Sequence, residues 1–408
     1  MKKMHFREWG VESPRYWSMV AILAAIVVIA GFATLYMEHE GHWVTGMNNQ
    51  VVWGIPHVFA VFLIVAASGA LNVASIGSVF NKKVYKPLAP LSGLLAMTLL
   101  IGGLLVLVLD LGQPARLIVA MTTYNFKSIF AWNIYLYVGF LAVVAVYLFT
   151  MMERKANQYT KAVGTFAFVW RLLLTTGTGS IFGFLVARQG YDAAIMAPMF
   201  IIMSFAYGLA IYLMVLMFTF KADDRALGDK LVSRLKNLLG VFVAAVLYFT
   251  VAYHLTNLYG TENHAYEAFI LRDGGIYTTL FWGGWVLLGC LVPLGIIYHP
   301  ALGKSRGALL TACALVVLGG LATMYVIIIG GQAFPMAMFP DKTIIASGFY
   351  DGVNGEALSY SPSLPEFLLG IGGVAVALLA TLVAVRVLRF LPESLADEVA
   401  DPHTAKGA

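Results

Sequence analysis

Ten stretches of this chain are long and apolar enough to cross a lipid bilayer, and little of the 408-residue sequence lies outside them. A helix needs about 20 mostly apolar residues to cross the ~30 Å hydrocarbon core. The predicted spans are 16–37, 55–80, 90–112, 128–152, 165–187, 197–220, 237–259, 278–299, 307–331 and 364–388. The sequence therefore predicts an all-α polytopic membrane protein, with residues 1–408 forming a single integral membrane domain.

Composition supports this fold class. Hydrophobic residues make up 60% of the chain and charged residues 12%, whereas a soluble domain carries about 25% charged residues. The segments between the spans are too short to build a soluble core. The first span is long and no clear small-residue cleavage site follows it, so we expect no cleavable signal.

The distribution of basic residues predicts the orientation. With a cytoplasmic N-terminus, the inner segments hold 20 of the 26 Lys and Arg residues. Cytoplasmic segments of membrane proteins carry such an excess. We therefore expect a multi-pass protein of a bacterial or archaeal inner membrane with both termini, including a tail at 389–408, in the cytoplasm. The net charge of +5 then reflects orientation in the lipid bilayer and not a nucleic-acid partner.

The segments between the spans differ on the two faces. The inner segment 221–236 has Leu227, Leu231 and Leu235 at four-residue spacing, which predicts an amphipathic helix lying in the membrane interface. The outer segments are longer and rich in apolar residues, and they cover 38–54, 113–127, 260–277 and 332–363. Such segments indicate either a docked protein or a cap packed on the chain's own helices.

The chain has only two cysteines, Cys290 and Cys313, and both fall within predicted spans. Iron–sulfur clusters usually need four thiolates. We therefore expect no cluster in this chain and interpret both cysteines as small buried apolar residues.

His57 opens the second predicted span and begins a polar line along one helix face. At 100° per residue, Ser68, Asn72 and Ser75 lie about 20°, 60° and 0° from it. This line indicates either a wall that protons can reach, with His57 at a binding pocket, or hydrogen bonding between packed helices.

Asp110 lies near the outer end of the third span, where Gly112 and Pro114 end the helix. A carboxyl group that a ligand can reach at this depth can donate or accept a proton. Arg116 could bind a ligand carbonyl or pair with Asp110, and a purely structural Asp–Arg pair is the alternative.

Further polar groups occur at the same outer level and deeper in the membrane. Trp132 and His254 lie at the outer level, where aromatic belts are common. Arg171 lies roughly 9 Å from the inner end of its span, and Thr175 and Thr178 continue its face. We expect Arg171 to extend toward the inner headgroups, with a role in a proton path as the alternative. Together these residues suit a quinone headgroup but do not single it out.

Two segments resemble a known family. GMNNQVVWGIPHVFAVFLIVAASGALNVASIGSVF at 46–80 and LDLGQPAR at 109–116 are similar to the NrfD/polysulfide reductase membrane subunits. The ten spans and the GMNNQVxWG wording look closest to the DsrP type, which belongs to the membrane complex (DsrMKJOP) linked to dissimilatory sulfite reductase. The ten-span pattern extends the resemblance over nearly the whole chain, although the specific motifs lie in residues 46–116.

The resemblance implies a quinone-reactive subunit without heme or iron–sulfur clusters. It implies two four-helix bundles, spans 2–5 and 6–9, flanked by spans 1 and 10. The quinone, menaquinone or ubiquinone, would exchange protons with His57 and Asp110. The residues expected around it are Asn48, Asn49, Trp53, His57 and Arg116, with Trp132 and His254 nearby. A proton route from the cytoplasm would use Ser68, Asn72, Ser75, Arg171 and Thr178.

The resemblance also implies partners. A periplasmic ferredoxin-like iron–sulfur subunit would exchange electrons with the quinone, and a DsrP-type chain would also meet a multiheme cytochrome c and a heme b membrane subunit. The chain has no electron carrier of its own, so we expect it to be inactive alone and to serve sulfur metabolism within a redox complex.

Two other classes stay open at this point. A secondary transporter often shows broken helices and midplane sites in repeated halves, but no repeat is visible here. A heme b anchor subunit needs axial ligands such as His, and His57 with His254 could supply one pair.

Overall fold

The computed structural model describes residues 4–10, 14–334 and 360–400. Its long apolar segments form helices because a helix satisfies backbone N–H and C=O groups internally, as hydrocarbon requires. The described residues contain ten helices of more than 20 residues: α1 Pro14–Glu40, α2 Ile55–Ser78, α3 Ala89–Leu109, α4 Ile129–Met152, α5 Thr160–Gly183, α6 Met196–Ala222, α7 Asp229–Tyr259, α8 Ile276–Tyr298, α9 Arg306–Ala333 and α10 Leu364–Val387. The prediction of an all-α polytopic membrane protein is confirmed.

Nine of these ten helices are both long and apolar enough to cross a membrane. The remaining one, α5, has the length but a more polar composition, since it carries Lys161, Arg171 and several threonines. It joins the end of α4 on one face to the start of α6 on the other. It begins five residues before the predicted span and ends four residues earlier, because the apolar pattern alone cannot locate a helix whose inward face is polar.

Short elements connect the long helices. The short helices are Leu117–Thr122, His264–Ala268 and Asp397–Ala400. The 3-10 turns are His42–Val44, Lys83–Leu88, Pro114–Arg116, Asn157–Tyr159, Thr261–Asn263 and Leu302–Lys304. Two two-residue strands, β1 Phe6–Arg7 and β2 Leu391–Pro392, pair antiparallel.

The long helices pack as two groups of four. In the first bundle, α2 contacts α3 and α5, and α4 contacts α3 and α5. In the second bundle, α6 contacts α7 and α9, and α8 contacts α9 and α7. The bundles join where α2 meets α6 at Gly69 and Gly208, because a Cβ at either position would collide with the facing backbone. Helix α1 packs on α10, which in turn packs on α2 and α3.

One face of the helical domain is closed by contacts between the two ends of the described chain. Pairing of β1 with β2 brings both ends to the same face. The buried Arg225 guanidinium lies beside them and donates to the backbone carbonyls of Leu391, Pro392, Arg7 and Glu8 at 2.9–3.2 Å. The tail therefore packs against the N-terminal segment through residues 391–393 and then against the start of α7 through Leu395 and Asp397, while residues 401–408 lie outside the described residues.

The prediction of an interfacial amphipathic helix at 221–236 is wrong. Helix α6 continues to Ala222, and α7 begins at Asp229. Leu227, Leu231 and Leu235 are 7%, 2% and 0% exposed. The four-residue apolar spacing reflects burial within the protein, where the segment meets the C-terminal tail, and not contact with lipid.

Candidate functional site

A histidine–aspartate pair lies where α2 begins and α3 ends. The backbone places them together because antiparallel neighbours bring the start of one helix beside the end of the other. His57 Nδ1 lies 2.6 Å from Asp110 Oδ2. The Asp110 side chain is fully buried, while the His57 side chain keeps 16% of its surface. Asp110 Oδ1 has no hydrogen-bond partner within the described part of the chain.

This arrangement leaves one imidazole nitrogen for chemistry. A carboxylate beside Nδ1 keeps a proton on that atom, so Nε2 is where the ring gains or loses its exchangeable proton. The pair carries one negative charge when the ring is neutral and none when Nε2 is protonated. The buried pair is therefore suited to hold a proton at Nε2 and to release it to a neighbouring acceptor.

His57 faces a cavity of about 410 Å³ inside the first bundle. The walls are almost entirely apolar. They include Leu107 of α3, Leu111 just beyond it, Phe130 and Val138 of α4, and Phe182 of α5. The Trp53 ring stacks over the His57 ring with centroids 5.9 Å apart and an interplanar angle of 22°. The cavity can therefore take a flat ring against an aromatic wall.

Two polar groups that the sequence analysis did not identify line the same cavity, Asn133 and Tyr137. Asn133 Nδ2 donates to the Gly177 carbonyl at 3.0 Å, while its buried Oδ1 has no partner among the described residues. The Tyr137 hydroxyl lies 3.2 Å from Thr178 Oγ1. A ring with polar atoms at both edges could thus meet His57 on one side and these groups on another.

Gln332, near the end of α9, fixes the backbone that carries Trp53. Its Oε1 accepts from the N–H groups of Val52 and Trp53, both at 3.0 Å, and its Nε2 donates to the Trp53 carbonyl at 3.0 Å. The Arg188 guanidinium donates to the carbonyls of Gln50 and Gln332 at 2.9 and 2.8 Å. Burial lowers the pKa of Arg188 from its ordinary value. The second bundle therefore positions one wall of the cavity in the first.

A second support comes from the start of α10. Glu366 is fully buried, and its Oε2 accepts from the Gly46 N–H at 2.8 Å. Its Oε1 accepts from the Tyr360 hydroxyl, which in turn accepts from the Ile55 N–H, both at 2.8 Å. Burial and then the Glu366 carboxylate raise the pKa of Tyr360, which stays a neutral donor. A side chain at Gly54 would collide with both groups, so glycine is required there.

Four predicted quinone contacts do not line the cavity. Asn48 Oδ1 accepts from the N–H groups of Gln50 and Val51 at 2.9 and 2.8 Å, so it shapes the loop before α2. Asn49 and Arg116 are exposed. Trp132 is 51% exposed, and its Nε1 donates to the Phe126 carbonyl at 2.8 Å. The Arg116–Asp110 pair that the sequence left open is absent from the described contacts, since His57 takes that place.

His254 also lies outside the cavity, because it belongs to the second bundle. Its Nδ1 lies 2.7 Å from Glu267 Oε2. Its ring packs against Phe281 and Trp285 of α8, with centroids 4.7 and 6.3 Å away. The predicted grouping of His254 with His57 is therefore not realised: each histidine has its own carboxylate in its own bundle.

The expectation that Arg171 extends to the inner headgroups is wrong. Its side chain is fully buried between the rings of Phe168 and Phe205, 4.8 and 5.0 Å from their centroids. Its Nη2 donates to Asn72 Oδ1 at 3.0 Å. The polar line on α2 supplies this partner, so the guanidinium is held at depth instead of reaching water.

The rest of the predicted polar line is buried and only partly connected. Ser68 Oγ donates to the Arg171 carbonyl at 3.1 Å and accepts from Thr175 Oγ1 at 2.6 Å. Ser75 Oγ bonds only within its own helix, to the Leu71 carbonyl at 3.1 Å. Thr178 reaches the cavity through Tyr137. The described residues contain no group of three or more His, Cys, Asp or Glu that could hold a metal ion.

Comparison with known proteins identifies the family. Residues 43–336 match the family described as "Polysulphide reductase, NrfD". The match covers the start of α2 through the end of α9, and with them both bundles and both histidine–carboxylate pairs.

Similar proteins cover most of the chain. The Hdr-like menaquinol oxidoreductase integral membrane subunit of Archaeoglobus fulgidus is 28% identical over 400 residues, which are 98% of this chain and 99% of that protein. The menaquinone reductase integral membrane subunit of Nitratidesulfovibrio vulgaris is 24% identical, with 89% and 88% covered. The protein NrfD of Escherichia coli is 24% identical over 314 residues, with 70% and 96% covered.

Proposed function

The chain belongs to the polysulphide reductase NrfD family, and we propose that it is a quinone-binding membrane subunit of a multisubunit redox complex. The observation that carries this proposal is His57: its side chain lines an apolar cavity of about 410 Å³, and its Nδ1 lies 2.6 Å from the buried Asp110 carboxylate. One similar protein is named as a menaquinol oxidoreductase subunit and another as a menaquinone reductase subunit, which supports a quinone as the ligand and menaquinone as the first to test.

The residues fit a quinone by shape and by chemistry. A quinone supplies a flat ring whose two oxygens gain protons on reduction and lose them on oxidation. Trp53 offers a stacking wall, and apolar residues between α3 and α4 can hold an isoprenoid tail. His57 would exchange the proton at one oxygen, with Asp110 stabilising the imidazolium. Asn133 and Tyr137 would orient the ring from other walls.

The finer proposal is a DsrP-type subunit of sulfur metabolism. The chain would exchange electrons with a periplasmic ferredoxin-like iron–sulfur subunit, in a complex with a multiheme cytochrome c and a heme b membrane subunit. This finer proposal rests on the amino-acid sequence of residues 46–57, which form the loop and the first helical turn around Trp53 and His57. Because the reaction needs electrons from outside the chain, we expect the isolated subunit to bind quinone without turning it over.

We also propose a proton route from the inner face to the cavity. A polar cavity of about 350 Å³, lined in part by Ser78, Tyr147 and Lys161, opens on the inner side of the first bundle. The Tyr147 hydroxyl donates to Ser78 Oγ at 2.7 Å. Above it follow Ser75, the Asn72–Arg171 bond, Ser68 with Thr175, and Thr178 with Tyr137 at the quinone cavity.

Proton uptake by the intact complex during quinone reduction tests this route. We expect Asn72→Leu or Arg171→Met to abolish uptake from the inner side while quinone still binds. Undiminished coupling in both variants would remove the route and leave the quinone site standing.

The heme b alternative is not favoured by the geometry. His57 and His254 face different bundles, and each Nδ1 is taken by a carboxylate. They share no cavity in the described structure, so they cannot ligate one heme between them. A transporter remains a weaker second class, since the cavity walls carry only three polar side chains.

Binding of a quinone analogue to the full chain in lipid nanodiscs tests the proposal. We expect His57→Gln and Asp110→Asn to weaken binding roughly tenfold or more, since each loss of a charged hydrogen bond costs about 1.5–3 kcal/mol. The exposed residues His39 and Asp192 supply matched controls, His39→Gln and Asp192→Asn, which should bind as the native chain does.

Equal affinity in the native chain and in both site variants would overturn the proposal. Turnover of the intact complex gives a second readout, because the same variants should also lose quinone-dependent activity.

A further inference from the structure

The second bundle contains its own buried histidine–carboxylate pair, far from the cavity that holds His57. Glu267 is 0% exposed, and His254 and Asn257 are each 7% exposed. Glu267 Oε2 lies 2.7 Å from His254 Nδ1, and Glu267 Oε1 accepts from Asn257 Nδ2 at 2.8 Å. Each carboxylate oxygen of Glu267 therefore has a hydrogen-bond partner.

The charges around this pair are unbalanced when the imidazole is neutral. Among the described residues, His254 is the only group that forms an ion pair with Glu267. The neighbouring titratable groups are the tyrosines Tyr253 and Tyr266, while Phe281 and Trp285 cover the ring from α8. With Glu267 ionised, a proton on His254 would change the net charge of the pair from −1 to 0, and no uncompensated charge would then remain buried.

The nitrogen that would take this proton makes no hydrogen bond to the described residues. His254 Nε2 is buried and has no hydrogen-bond partner among the described residues. Trp285 Nε1, a donor on the ring beside it, is also buried without a partner. Two such atoms on adjacent rings indicate a small polar ligand, because buried polar groups in folded proteins are nearly always hydrogen-bonded.

The space on the far side of this pair of rings is small. Trp285 borders a cavity of about 10 Å³ that is also lined by Tyr207, Cys290 and Thr323, and His254 is not among its lining residues. That volume holds about one water molecule and no ring. Toward the inner face this cavity is walled by Val243, Val246 and Val316, so the described residues show no polar route to the inner side.

We propose that His254 and Glu267 form a proton-binding site that takes one proton at His254 Nε2, the buried nitrogen without a partner among the described residues. The proton exchanges with the face at which α7 ends, five residues beyond His254, and not with the opposite face. One N–H bond forms on uptake and breaks on release, with no electron transfer. The site is distinct from the His57 cavity and does not depend on quinone binding.

Proton uptake by the full chain in lipid nanodiscs tests the site. The pH is stepped across the range of histidine titration, around 6.5, and released protons are counted with an indicator dye. We expect His254→Gln to release about one proton fewer per chain than the native protein. Glu267→Gln should show the same loss, because its neutral amide no longer stabilises the imidazolium. Unchanged proton counts in both variants would overturn the proposal.

Quinone binding separates this site from the proposed quinone site. We expect His254→Gln to keep the affinity for a quinone analogue that His57→Gln loses. Loss of that affinity in His254→Gln would assign His254 to the quinone site and overturn a separate role. A failed quinone proposal would leave the proton count untouched.

The native protein provides the test if either substitution prevents folding. With ¹⁵N-labelled histidine rings, NMR should show a buried histidine that titrates at Nε2 while Nδ1 stays protonated, and that persists in His57→Gln. The absence of such a resonance would equally overturn the site.

Discussion

At the scale of single residues, one wall of the His57 cavity depends on Gln332, which does not line the cavity itself. The Gln332 side chain uses its amide as a peptide group would, accepting from two N–H groups of the Trp53 segment and donating to the Trp53 carbonyl. Its Nε2 also donates to the Ile328 carbonyl at 2.9 Å, so its amide contacts its own helix as well as the segment before α2. The stacking of Trp53 on His57 therefore rests on a residue of α9.

We expect Gln332→Leu to displace Trp53 and to weaken quinone-analogue binding roughly tenfold. Three backbone groups would lose their partners, at about 1–3 kcal/mol each, and part of that cost would fall on the stacked geometry. Quenching of tryptophan fluorescence by the analogue measures the affinity, and thermal unfolding measures stability. Gln113→Leu, on an exposed loop residue, is the control. Unaltered affinity in Gln332→Leu would show that Trp53 is held by other contacts.

The sequence could identify some of these residues and not others. His57 and Asp110 stand out because ionisable groups are costly at membrane depth. Gln332 shows no such signal, since its role depends on contact with residues about 280 positions earlier in the chain. By residue type alone, Asn49 and Arg116 suit a quinone site as well as His57 and Asp110 do. The loops that carry them leave their side chains exposed.

At the scale of helices, the apolar pattern of the sequence predicts where long helices occur. It does not predict whether protein or lipid surrounds each of them. The ten predicted spans correspond to ten long helices, because hydrophobic length is a local property. The pattern could not predict that Leu227, Leu231 and Leu235 meet protein instead of lipid, since both surroundings select the same side chains. It also could not predict that Asn72 holds Arg171 at depth, because that contact joins two helices.

Some residues that line the cavity beside α3 and α4 are also exposed on the helix surface, which indicates an opening toward lipid. The residues on its rim are also exposed toward the membrane, with Leu111, Phe130 and Val138 at 45%, 43% and 51%. We expect Val138→Trp to slow binding of a long-tailed quinone about tenfold, because the larger ring narrows this opening. Binding of a tail-free headgroup analogue should change little. Stopped-flow fluorescence gives both rates.

The same helix supplies a matched control. Val146 lies two turns away, is equally exposed at 51% and does not line the cavity. Val146→Trp should leave both rates as they are. Equal slowing by the two substitutions would mean that the ligand reaches the cavity by another path.

At the scale of the whole molecule, orientation decides which face carries both histidine–carboxylate pairs. The structure places the starts of α2 and α4 and the end of α7 at one face, opposite the paired strands β1 and β2. The packing of the described helices does not determine orientation, because the same packing is possible in either direction across a bilayer. Only the uneven distribution of Lys and Arg indicates that the face with the paired strands β1 and β2 is cytoplasmic.

Cysteine labelling tests this orientation on a favourable background, because Cys290 and Cys313 are 2% and 0% exposed and should not react. We expect an impermeant maleimide to label Glu262→Cys in intact spheroplasts, since residue 262 is exposed beyond α7. Lys155→Cys, exposed beyond α4 on the other face, should react only after permeabilisation. The reverse pattern would place His57 and Asp110 near the cytoplasm, out of reach of the periplasmic iron–sulfur partner that we propose.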